Sequence, residues 1–126
     1  MDKEKALHDF WSSFGLDAYD SNTVPTGDDA PDFPYITYDV GTDSIDAPIV
    51  LSGNLWYYGE SWQEITTKCH EIEKKIAEFG FYVKKINGGY MWITKGHPFA
   101  QRMSDDSSDM IRRIYIQIQV EFMTAY

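Results

Sequence analysis

Cys69-His70 is the first pair with chemistry to offer, because a thiol beside an imidazole is the core of a cysteine nucleophile. Adjacent residues on a helix project about 100° apart, so the two cannot form a hydrogen-bonded dyad on the helix expected there. Cys69 also falls on that helix's apolar stripe, where a free thiol packs as a small hydrophobe. His97, in Gly96-His97-Pro98, reads as a loop histidine and His8 as a solvated one. The acid groups Asp28-Asp29-Asp32 and Asp105-Asp106-Asp109 offer oxygen ligands for a divalent cation, yet neither has the central glycine and terminal glutamate of an EF-hand loop. Both read as solvated loop acids. The chain holds no GxGxxG, P-loop, GxSxG or CxxC pattern. The sequence therefore predicts no enzyme: no catalytic residue, no metal site and no cofactor.

Whatever these residues do, a helix over 61–79 has to position them. Ile65, Cys69, Ile72, Ile76 and Phe79 recur at the spacing of one helical face. Ser61 and Glu64 form the S-x-x-E pattern of a capping box, and Gly80 supplies the left-handed stop. Glu64 with Lys68 and Glu71 with Lys75 have the favourable i,i+4 order for exposed pairs. A shorter helix is expected over 3–14, with Leu7, Phe10, Trp11 and Phe14 inward and Gly15 ending it. Residues 15–33, rich in Asp, Gly, Pro, Ser and Asn, read as a loop of unusual length.

Strands are expected at 35–40 and 49–58, forming an antiparallel hairpin around a polar turn at 41–48. Gly53 inside the second marks a bulge or a close backbone approach. Residues 81–86 and 90–95 flank Asn87-Gly88-Gly89, a hairpin signal. Gly96-His97-Pro98 should break the second of these, with a short strand over 99–103 beyond it. The last strand, 110–125, alternates Ile114, Ile116, Ile118, Val120 and Phe122 with Tyr115, Gln117, Gln119, Glu121 and Met123. The expected fold is one α+β domain over 1–126, a mostly antiparallel twisted sheet with two helices packed on one face.

The composition fits a single domain with a core of its own: 126 residues, 43% hydrophobic and 16% aromatic. One cysteine cannot make an internal disulfide. The start Met1-Asp2-Lys3-Glu4-Lys5 has no apolar signal core, so a cytoplasmic protein without a membrane partner is expected. A net charge of −9 argues against nucleic-acid binding through phosphates. The charge is uneven: residues 1–60 hold 12 acids against Lys3 and Lys5, while 61–126 hold 8 acids against 9 bases. The acidic half reads as solvated loops, or as a surface facing a basic partner or a polyanion that must pass without sticking. The aromatic middle, Trp56, Trp62 and Trp92 with Tyr57, Tyr58 and Tyr90, reads as core and interface packing rather than a ligand cage.

The order of these segments carries a resemblance. Phe33-Pro34-Tyr35-Ile36-Thr37-Tyr38 follows a long polar loop. A second strand ends Leu55-Trp56-Tyr57-Tyr58-Gly59-Glu60-Ser61-Trp62 and runs into the amphipathic helix. Arg112-Arg113-Ile114-Tyr115-Ile116-Gln117-Ile118 then closes the chain. Over nearly its whole length the chain resembles the tail-terminator and tail-completion proteins of long-tailed bacteriophages, with Ile65 where that family often has alanine. The resemblance implies a virion protein, assembled in the host cytoplasm. It would form a ring, commonly a hexamer, that caps the tail tube, ends polymerisation of the tail tube protein and docks the head-side completion or stopper protein. DNA would pass through the ring's lumen without specific binding. The contact residues expected are Thr42, Asp43, Ser44, Ile45 and Asp46 in the tip loop, and the outward row Tyr115, Gln117 and Gln119. Two alternatives stay open: another head–tail joining protein, such as a stopper or tube-like subunit, and a small-molecule-binding α+β domain.

Overall fold

A computed structural model describes residues 2–41, 48–105 and 107–124 of the chain. The first helix, α1 (Lys3–Ser12), starts on Asp2, whose side chain accepts a hydrogen bond from the Lys5 amide at 2.7 Å. Its Ala6, Leu7, Phe10 and Trp11 are buried on one face. The second, α2 (Gln63–Ala77), buries Ile65, Cys69, Ile72 and Ile76. Each isoleucine contributes about 1.5–3 kcal/mol by leaving water.

These stripes cover one face of a six-stranded sheet: β1 (Asp17–Asp20), β2 (Tyr35–Tyr38), β3 (Ile49–Tyr58), β4 (Tyr82–Ile86), β5 (Gly89–Met103) and β6 (Ile111–Thr124). The strand order is β1-β2-β3-β6-β5-β4, with β1 parallel to β2 and every other pair antiparallel. Ile114, Ile116, Ile118, Val120 and Phe122 of β6 point to the helices as their alternation requires. The α+β class and the hairpin of β2 with β3 are as expected.

Several local expectations are corrected. Residues 15–33 are not all loop, because β1 lies within them and a 3-10 turn forms at Gly27–Asp29. Parallel neighbours cannot be joined by a tight turn, so the length of 21–34 is used by the crossover from β1 to β2. The capping box does not form: Trp62 is the N-cap residue of α2 and makes no side-chain cap, while the Ser61 hydroxyl accepts from the Gln63 amide at 3.0 Å.

The i,i+4 pairs also give way. Lys68 bonds Glu71 at 3.0 Å and the Phe14 carbonyl at 2.7 Å, and Lys75 donates to the Ser13 hydroxyl at 2.7 Å. Two cations thus sit at the carbonyl end of α1, where the helix dipole favours them. Phe79 lies past the end of α2 and is 82% exposed rather than part of the stripe. Strand β5 is not ended at Gly96; its pairing with β6 shifts register between Lys95 and Ala100 and then continues to Met103. Gly96 is required there, since a Cβ would fall 2.7 Å from that of Gln117. In the tight turn between β4 and β5 only Gly88 takes a positive φ, +80°.

A candidate interaction face

With both helices on one side, the other side of the sheet carries the alternate residues of every strand. On β6 these include the expected row Tyr115, Gln117 and Gln119, each half-buried, with Gln117 Nε2 donating to the Tyr115 hydroxyl at 3.4 Å. The row lies in the middle of the face, because β6 is flanked by β3 and β5. The other expected contacts, Thr42, Asp43, Ser44, Ile45 and Asp46, lie outside the described residues.

Sequence reasoning missed how the aromatics arrange around that row. On the β1-β2-β3 side, Trp56 stacks on Tyr35 with ring centroids 6.0 Å apart, and Tyr35 meets Tyr19 edge-on and Phe33 at a tilt. Phe33 also touches Tyr58, which is largely exposed. Trp56 Nε1 donates to the Thr37 hydroxyl at 2.9 Å, which fixes the indole's orientation. The Arg113 guanidinium lies 5.1 Å from the Trp56 ring while its Nε donates to Asn54 Oδ1 at 2.8 Å. On the β4-β5 side, Phe81 stacks on Trp92 at 4.3 Å, with Val83, Tyr90 and Met123 exposed alongside. Two aromatic patches therefore flank a neutral polar row. Such a surface has the composition of a subunit interface, aromatic with few charges. The cross-strand stacks that make the patches depend on register, and no spacing within one segment announces them.

Other groups with chemical potential sit away from this face. Cys69 is buried, and burial, helped by the nearby Glu73 charge, pushes its thiol up to about 11; His70 is exposed on the same helix. His8 is not merely solvated, since its Nδ1 shares a 3.0 Å hydrogen bond with the Tyr38 hydroxyl. Burial, then the charges of Asp20 and Glu4, raises the Tyr38 pKa. The side chain of Trp62 sits between Arg102 and Arg112, at 4.8 and 5.3 Å, beside an open cleft of about 300 Å³. Arg112 also donates to the Glu60 carbonyl at 3.0 Å, so this cluster ties the start of β6 to the turn before α2.

Among the described residues no group of three or more His, Cys, Asp or Glu is placed to hold a metal, and no helix is long and apolar enough to cross a membrane. No protein-family model, curated protein or solved structure matches the chain.

Proposed function

We propose that the protein is a structural component of a bacteriophage tail. In this reading it assembles as a ring, hexameric in keeping with the resemblance, that caps the tail tube, stops its growth and joins it to the head-side connector. The observation that carries the reading is the sheet face opposite α1 and α2, where two aromatic patches flank the uncharged row Tyr115, Gln117 and Gln119. A face of that kind fits a protein partner better than bare water. The placement of the resembling segments supports the same reading. Tyr35-Ile36-Thr37-Tyr38 is the whole of β2, Trp56-Tyr57-Tyr58 ends β3 just before α2, and 112–118 lies in the long β6.

Electron microscopy of the purified protein, alone and mixed with the tail tube protein of its phage, tests the proposal. Rings seated on one end of tubes whose growth has stopped are expected. A monomer that leaves tube growth unchanged would contradict it.

A further inference from the structure

The two outermost strands of the sheet, β1 and β4, which no other strand flanks among the described residues, lie in segments of opposite charge. Residues 15–41, which hold edge strand β1 and its neighbour β2, contain Asp17, Asp20, Asp28, Asp29, Asp32 and Asp39 and no Lys or Arg. Residues 80–104, which hold edge strand β4 and its neighbour β5, contain Lys84, Lys85, Lys95 and Arg102 and no Asp or Glu. The helices bring Asp9 and Glu73 near the basic side, but Asp9 pairs with Lys5 at 3.6 Å and Glu73 with Lys95 at 3.3 Å. Beside the basic edge lie the exposed Phe81, Val83 and Tyr90.

We propose that copies of this chain associate head to tail, the basic β4 edge of one against the acidic β1 edge of the next, extending one sheet from copy to copy. Strand directions permit this. Following the antiparallel pairs across the sheet from the parallel β1-β2 pair, β1 and β4 run the same way. A neighbour related by rotation about an axis along the strands therefore presents β1 parallel to β4, and both strands find hydrogen-bond partners.

The charges select against the simpler alternative. A two-fold dimer through β4 would set Lys84 and Lys85 of one copy against the same lysines of the other, and one through β1 would set acid against acid. Only the head-to-tail contact is complementary. The inference takes the ring of the proposed function as its setting, and rests on it for the closure of successive copies.

The test is sedimentation velocity on two charge-reversed proteins, with far-UV circular dichroism to report folding. Lys84→Glu with Lys85→Glu makes both edges acidic; Asp17→Lys with Asp20→Lys makes both basic. The wild type should associate at low salt and dissociate as salt approaches ~1 M, where the screening length falls to about 3 Å. Each variant alone should be monomeric, and an equimolar mixture should recover the wild-type sedimentation.

Asp20 Oδ1 accepts from the Asn22 amide. Should its replacement unfold the chain, Lys85→Glu and Asp17→Lys, both at exposed positions, make the same comparison. A monomeric wild type, association kept by either folded variant alone, or a folded mixture that stays monomeric would overturn the proposal. Tail assembly scored in parallel separates it from the function above. Monomeric variants that still complete tails overturn edge pairing alone, whereas charge-dependent association by a protein dispensable for tails overturns the terminator reading alone.

Discussion

The indole of Trp11 lies directly on Gly53, so that a Cβ added to the glycine would come 2.6 Å from Trp11 Cη2. This contact is how α1 seats on the middle of the sheet, since Gly53 belongs to β3 and pairs with Tyr38 on one side and Ile116 on the other. Tyr38 in turn stacks against the same indole, with centroids 6.3 Å apart. The glycine is there for space, as its backbone is ordinary strand.

Gly53→Ala should therefore destabilise the protein by about 1–3 kcal/mol through overpacking. Trp11→Phe shortens the ring and also removes the indole Nε1, which is buried without a hydrogen-bond partner among the described residues. The double variant should cost less than the sum of the two. Urea denaturation of the four proteins checks this, and strict additivity would mean that α1 does not depend on the glycine.

Lys75 donates to the Ser13 hydroxyl and lies 5.2 Å from the Phe14 ring and 5.6 Å from the Tyr82 ring. Lys75→Ala should cost about 1–2 kcal/mol by loosening the contact between α2 and the end of α1. Lys74→Ala, on the exposed side of the same turn, should stay within about 0.5 kcal/mol of wild type. Equal losses for the two lysines would remove that role.

The inward faces of both helices and the alternation of β6 were legible in the sequence, because each is a long segment with one period. The strand β1 was not. It is only Asp-Ala-Tyr-Asp, with Ala18 its one buried residue, too short for a period to emerge among so many turn formers. Phe79 fits the helical spacing but follows the end of α2, and periodicity does not locate the last turn. The outward direction of Tyr115, Gln117 and Gln119 followed from alternation, whereas their place at the centre of the face follows from strand order. The polarity of the two edges likewise needs the topology, since the acidic and basic segments acquire opposite positions only once β6 lies between β3 and β5.

Ile72 is fully buried at mid-stripe, and Ile72→Asp should abolish folding, because an unpaired carboxylate there has no compensating partner. Cys69→Ala should cost far less and also report on pH. The native thiol titrates near 11, against 9.0 for the free group. Burial thus favours the protonated thiol in the folded state. Its contribution is full below pH 9 and is lost as pH rises through 11. The stability gap between wild type and Cys69→Ala should shift against the wild type across that window, while the tyrosines, present in both proteins, cancel. A constant gap would show that the thiol is not shielded.

Gln119→Lys places a charge in the neutral row of the open face, on a side chain that is already half-wet. Folding stability should change by no more than about 0.5 kcal/mol, while tail completion falls. Deleting residues from the segment 41–48 should likewise impair tail completion more than it impairs stability. Thermal unfolding beside a plaque assay separates the two effects, and a loss of stability that matches the loss of plaques would remove the interface role.

A protein that ends tail growth, as proposed, sets the length of the tail. Tails of a phage lacking this gene, measured by negative-stain microscopy with and without the protein supplied in trans, give the answer. Over-long or headless tails are expected in its absence, and uniform tails joined to heads when it is restored. Tails of normal length, joined to heads without it, would contradict a role in ending tail growth.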